Sequence, residues 1–219
     1  MNKVLVACAA LIAGTLADLP SASAQILIDG FLDDTIDVIS PGSPSSVITN
    51  DIDDSNISRE ISVEASGSFS IVSTVDAGFL IIDASGPDTG TANAEIDYLG
   101  FVTNLSNNTF FEFTVSKVVG TPLLGLILGD DSFGQISGAI LLTPTETGTS
   151  YFLDITQFAG YTTGFGSELD SIQVLIGDTN ANFFVQGNSF QFTSVPEPSS
   201  ALLCAAGIAG VSFRRRKAR

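Results

Sequence analysis

The stretch Glu95-Ile96-Asp97-Tyr98-Leu99 sets two carboxylates two residues apart. On a strand, alternate residues share a face, so Glu95 and Asp97 stand side by side. Two carboxyls in such a cleft can divide acid and nucleophile roles in glycoside hydrolysis. A third acid would extend the row, but Leu99 holds that position, and the chain has no tryptophan to floor a sugar cleft. The pair therefore reads as the solvent face of a strand, and no catalytic residue is assigned. A second group is Asp51, Asp53 and Asp54 in "NDIDD". Alternate acids on a loop present hard oxygen ligands for calcium. The spacing departs from an EF-hand loop, which needs glycine at its sixth position and glutamate at its twelfth. Asp130-Asp131-Ser132 is a similar acidic turn.

Other chemistries are excluded by composition. The chain has no histidine. Ser-His-Asp and Cys-His nucleophile sites are thereby ruled out, as is any zinc site built on histidine. Neither a phosphate-binding loop nor a dinucleotide fingerprint occurs. Between residues 25 and 194 the only bases are Arg59 and Lys117, against 22 acids, a net charge of −20. A phosphate backbone requires Lys and Arg, so nucleic acid is not a partner. Sugar binding without tryptophan would fall to Tyr98, Tyr151 and Tyr161, whose hydroxyls suit a half-wet site. Most of the sixteen phenylalanines read as core.

These residues need elements to hold them, and the periodicity between 25 and 194 is that of strands. "REISVEA" alternates Ile61 and Val63 against Arg59, Ser62 and Glu64. In "FFEFTVSKV", Phe111, Phe113 and Val115 take one face, and Glu112, Thr114 and Ser116 the other. "GSFSIVSTV", "GFLIIDA", "TANAEIDYLGF", "LLGLILG", "GAILLTP", "SYFLDIT", "DSIQVLIG" and "NFFVQGNSFQFTS" continue the theme, separated by Gly, Asn, Asp and Pro. Short apolar runs with this punctuation predict an all-β, antiparallel β-sandwich. Cys8 and Cys204 both lie outside this body, so no disulfide staples it.

The two ends differ from the body. Residues 1–24 hold Lys3, an apolar run from Val4 to Leu16, and small residues at Ala22 and Ala24 before Gln25. That is a secretory signal helix, to be cut by signal peptidase between Ala24 and Gln25. Residues 195–219 open on Val195-Pro196-Glu197-Pro198, an extended and accessible segment because proline continues neither helix nor central strand. A charge-free run over 201–213 follows, then Arg214, Arg215, Arg216 and Lys217. A helix over that run is ~20 Å long, short for a ~30 Å hydrocarbon core. The basic cluster stops transfer and stays cytoplasmic. The chain thus divides into a signal peptide (1–24), a β-sandwich (25–194) and a tail with a short transmembrane helix (195–219).

This tail resembles the PEP-CTERM protein-sorting signal. The resemblance implies recognition by exosortase in a Gram-negative bacterium, transient anchoring in the inner membrane, and cleavage near Val195–Pro198. Release to the cell surface or the outside follows, alongside exopolysaccharide. The body also resembles a recurring PEP-CTERM body: Asp29-Gly30-Phe31 after the signal, "SREISVEA", the glycine-bounded strands "AGFLIIDASG" and "TANAEIDYLG", and a close on "FQFTSVPEP". It implies a jelly-roll-like sandwich similar to carbohydrate-binding modules. Such modules often hold a structural calcium near the chain ends, which adds Asp29 and Asp178 as ligands to consider. "EIDYL" resembles the acid strand of jelly-roll β-glucanases, less its third acid. The expected function is a secreted, exosortase-processed surface or extracellular-matrix protein without catalytic activity, associated with exopolysaccharide. A carbohydrate-binding module for an extracellular polysaccharide is the alternative, and a glycan-active hydrolase a third reading. No cofactor is expected beyond calcium.

Overall fold

The structure, a computed structural model, describes residues 25–32, 36–40, 45–50, 57–67, 69–86, 90–100, 102–105, 108–179 and 182–194. The expected signal helix, the sorting tail with its transmembrane helix, and Asp51, Asp53 and Asp54 lie outside these residues.

Strands run at β1 (Ile26–Asp29), β2 (Ile36–Ser40), β3 (Ser45–Asn50), β4 (Ser58–Ala65), β5 (Ser70–Asp76), β6 (Phe79–Ser85) and β7 (Thr91–Leu99). They continue at β8 (Phe110–Val119), β9 (Leu123–Asp130), β10 (Gly134–Leu141), β11 (Thr149–Asp154), β12 (Leu169–Thr179) and β13 (Phe183–Thr193). Two antiparallel sheets result. One is ordered β11-β8-β13-β6-β5-β2, with β1 added on β13; the other is β10-β9-β12-β7-β4-β3. The chain crosses between sheets at β7→β8→β9 and again at β11→β12→β13, the wrapping of a jelly-roll-like sandwich. The glycine-bounded strands β6 and β7 fall in different sheets. The one helical turn among the described residues is a 3₁₀ turn, Ile155–Gln157, capped by the Asp154 carboxylate.

Alternation decides which residues meet between the sheets. Ala92, Ala94, Ile96 and Tyr98 of β7 face inward, as do Phe111, Phe113 and Val115 of β8 and Leu124, Leu126 and Leu128 of β9. Phe190 centres an aromatic cluster. Its ring lies 4.7 Å from Phe113, 5.3 Å from Phe31, 5.5 Å from Phe111 and 6.4 Å from Tyr98. Pairs of this kind add about 0.5–1.5 kcal/mol each beyond area burial. The β5–β6 hairpin turns on Ala77 (φ 48°) and Gly78 (φ 88°), two left-handed residues that match the twist of the flanking strands.

One assignment from the sequence is corrected. Arg59 does not join Ser62 and Glu64 on the polar face of β4. It shares the inward row with Ile61, Val63 and Ala65 and is fully buried. Strand geometry places 59, 61, 63 and 65 on one side whatever their chemistry.

Candidate functional site

The outer face of the six-stranded sheet carries the polar residues read from the sequence. Glu95 and Asp97 both project from it, half-buried, as neighbours on one face of β7. Register places Ser62 and Leu175 across from Glu95, and Glu60 and Gln173 across from Asp97. Gln173 Nε2 also donates to Glu95 Oε1. Burial raises the Glu95 carboxyl above its usual range, and the negative charges of Asp97 and Glu60 push the same way against the Gln173 bond.

Glycine opens this face. Gly177 lies between Asn93 and Leu123, and Gly125 between Leu175 and Ala139. A Cβ on Gly177 would strike the Asn93 amide and sit 2.8 Å from the Ala92 carbonyl oxygen. Its absence lets the Asn93 side chain lie flat on the sheet. The resulting furrow, about 520 Å³, is lined by Ser62, Glu64, Asn93, Glu95, Leu123, Gly125, Leu175 and Gly177. A smaller one of about 210 Å³, bordered by Asp97, Leu99, Ile127, Gln135, Ser171 and Gln173, lies on the same face. No exposed aromatic ring lines either.

The second constellation is internal. Asp29, 1% exposed, accepts from Arg59 Nη1 at 2.5 Å through Oδ2. The Tyr98 hydroxyl donates to the same oxygen at 2.9 Å, and Phe31 N–H donates to Oδ1 at 2.7 Å. Burial pushes the Asp29 carboxyl up, while the Arg59 charge and these hydrogen bonds pull it back. Arg59 also sits over the Phe31 ring, 5.8 Å from its centroid. Phe31 has φ 53°, an unusual conformation for an aromatic residue. The Asp29 bond to its N–H and the 2.8 Å bond from Gly78 N–H to its carbonyl oxygen hold it there. Asp29-Gly30-Phe31 thus forms a buried tie between β1 and the opposite sheet.

This changes the reading of several residues. Tyr98 is not a half-wet sugar platform; its inward parity buries it fully, with its hydroxyl on Asp29. Tyr151 donates to the Thr143 carbonyl oxygen at 2.6 Å, and Tyr161 packs on Phe165 at 6.3 Å. The Asp29 carboxylate is occupied by Arg59, Tyr98 and Phe31. Asp178 lies toward the opposite end of the sandwich, opposite Ala92, so the two are not brought together. Asp130 ties two turns: its carboxylate accepts from the backbone N–H groups of Ser132, Gly166, Phe133 and Glu168 at 2.9–3.2 Å. Burial opposes its ionisation, but the four donors outweigh burial and hold the carboxyl below its usual range. Asp131 is exposed beside Asp170, whose hydrogen bond and charge raise it. Among the described residues no three Asp, Glu, His or Cys side chains group as metal ligands.

The tail is where comparison with known families gives a direct result. Residues 194–217 match the family model of the PEP-CTERM protein-sorting motif. This chain carries a PEP-CTERM sorting motif. The motif implies a secreted protein that exosortase processes. No curated protein matches the chain in sequence. Among solved structures, the family 11 carbohydrate-binding module of cellulase Lic26A-Cel5E from Clostridium thermocellum is 13% identical, with TM-score 0.42 over 80% of this chain and 97% of that one. The same module in complex with a β-1,3-1,4-mixed-linked tetrasaccharide gives 14% and 0.43, over 80% and 98%. Tailspike protein 4 of bacteriophage CBA120, enzymatically active domain, gives 10% and 0.37, over 75% and 20%. Similarity at this level says nothing of what this chain binds.

Proposed function

We propose that this PEP-CTERM chain is a non-catalytic protein of the cell surface or extracellular matrix that associates with exopolysaccharide along the furrowed face of its six-stranded sheet. Signal peptidase removes residues 1–24, the inner membrane holds the tail transiently, and exosortase acts at Val195–Pro198. The observation that supports this reading is the furrow. Glu64, Glu95, Asn93 and Ser62 offer acceptors and donors to hydroxyl groups, while Leu123 and Leu175 offer an apolar wall to the C–H faces of sugar rings. Ligand sites generally combine such an apolar surface with a few convergent polar groups. The furrow is open and lacks aromatic platforms, which suits weak contacts repeated along a polymer. No cofactor and no catalytic residue enter this reading.

The carbohydrate-binding-module alternative uses the same face but demands a discrete, tight site. A glycan array together with sedimentation against the producer's own exopolysaccharide separates the two. Cosedimentation with the polymer and no retention on short oligosaccharides is expected. Tight retention of one oligosaccharide class would select the alternative, and absence of any polymer binding would overturn both. The hydrolase reading rests on Glu95, a carboxyl with raised pKa beside Asp97. Release of reducing ends by the wild type, lost in Glu95→Gln, would replace the non-catalytic proposal.

A further inference from the structure

The chain enters and leaves the sandwich at one place. Ile26 lies opposite Phe192, Leu27 opposite Gln191 and Asp29 opposite Phe190. On the other flank of β13, Phe190, Phe192 and Thr193 lie opposite Phe113, Phe111 and Phe110 of β8. Alongside β13, β6 reaches only residues 183–187, and β1 takes over that flank from 190. Residues 190–192 are therefore flanked on both sides, and Thr193, the last residue before the sorting motif, is paired with β8. Phe190 and Phe192 are fully buried, and Thr193 is 8% exposed. Four residues of β1 would hold little alone. The Asp29–Arg59–Tyr98 tie fastens them to β4 and β7 in the opposite sheet, and Phe31 seats on Phe190.

We propose that β1 is a strap that closes the foot of the sandwich and makes Thr193–Ser194 the boundary at which processing of the C-terminal tail must stop. The proposal rests on the reading of residues 195–219 as a removable sorting tail. A protease needs an extended, unpaired segment, and local opening sets how far along a folded chain it can cut. With β1 seated, β13 offers none before Ser194. With β1 released, β13 keeps β8 on one flank and exposes its other edge over residues 190–192. The same pairing places the predicted signal cleavage point, next to Gln25, beside the tail junction. The two membrane-directed segments therefore join the body at adjacent points.

The test digests the full-length chain, in detergent, with proteinase K and reads the C-terminus of the protected fragment by mass spectrometry. Three forms are compared: the wild type, Asp29→Ala/Arg59→Met, which releases the strap by removing both members of the pair, and Leu27→Cys/Gln191→Cys, which cross-links it. Leu27 and Gln191 are direct partners, residues 25–194 contain no native cysteine, and Cys8 and Cys204 outside them are replaced by serine in all three forms. The wild type is expected to stop at Thr193 or Ser194. The released form should lose residues 190–193 about tenfold faster, as local opening predicts, while amide exchange in β7, β9 and β12 stays slow. The cross-linked form should keep residues 190–193 at urea concentrations where the wild type begins to lose them. Equal trimming of the wild type and the released form, with β1 amides of the latter exchanging freely, would overturn the strap. If the released form unfolds throughout, the cross-linked form decides: no added protection over the wild type overturns the proposal. The digestion uses neither exosortase nor a glycan, so its failure leaves the proposed function standing.

Discussion

Removing the Asp29 carboxylate should be damaging at every pH, whereas removing its partner should be comparably damaging only near neutral pH. Asp29→Ala removes the carboxylate that pairs with the fully buried Arg59 guanidinium, and also takes an acceptor from Tyr98 Oη and Phe31 N–H. Breaking a buried pair this way costs about 3–5 kcal/mol. The lost hydrogen bonds are part of the same network, so their costs are not added to that figure. Against a typical total stability of ~5–15 kcal/mol this is a large fraction. At ~2–4 °C per kcal/mol for a domain of this size, the melting temperature falls by roughly 6–20 °C. Arg59→Met is the informative contrast. It strands a carboxyl, and a carboxyl can take up a proton, whereas a guanidinium cannot lose one. Without Arg59, burial keeps the folded-state pKa of Asp29 raised above its unfolded value. Stability of Arg59→Met is then fully present below the unfolded pKa and lost as pH rises through the raised one. Near neutral pH it approaches the loss seen in Asp29→Ala; at acid pH it is much smaller. Asp29→Ala/Arg59→Met should be more stable than the Asp29→Ala single variant, a coupling of ~3 kcal/mol. Urea denaturation followed by far-UV circular dichroism at several pH values measures all three. A loss below ~1 kcal/mol in Asp29→Ala, or additive losses in the double variant, would refute the reasoning.

Three further outcomes follow from the same geometry. Glu95 has a raised pKa, so its ionisation opposes folding; Glu95→Gln should be as stable as the wild type at acid pH and more stable once pH passes the raised value, read from urea midpoints. Asp130 has a lowered pKa, so its contribution is present above the unfolded value and lost as pH falls through the folded one. Asp130→Ala should lose on the order of 2 kcal/mol at neutral pH and flatten the acid limb of the stability curve. Gly187→Ala places a Cβ against the buried Phe113 ring, with Cζ 2.7 Å away; it should cost about 1–3 kcal/mol in thermal unfolding, and a neutral result would mean that β8 and β13 pack more loosely than described.

What was legible in the sequence depended on whether the deciding information was local. Strand alternation is local, so the inward row Phe111, Phe113, Val115 and the outward pair Glu95 and Asp97 could be read directly, as could the all-β sandwich. For Arg59 residue type and parity point to opposite faces of β4, and parity decides. Arginine is seldom buried, but counting back by two from Ile61 already put it inside. The same count through Ala94 and Ile96 puts Tyr98 inside. One further clue was on hand: an inward arginine requires an inward anion, and Asp29 was the acid of the Asp-Gly-Phe element singled out after the signal. The pairing itself is not local, since 30 residues and a change of sheet separate the two. The furrow was less accessible still. It needs Gly125, Gly177 and Asn93 in neighbouring rows, which depends on the register of β9, β12 and β7, strands far apart in the chain. The sorting motif lies at the other extreme, because its proline pair, apolar run and basic cluster are contiguous. The fold adds to that motif its starting point. β1 pairs with β13 up to Phe192 and β8 up to Thr193, so strand pairing ends next to residue 194, where the motif begins.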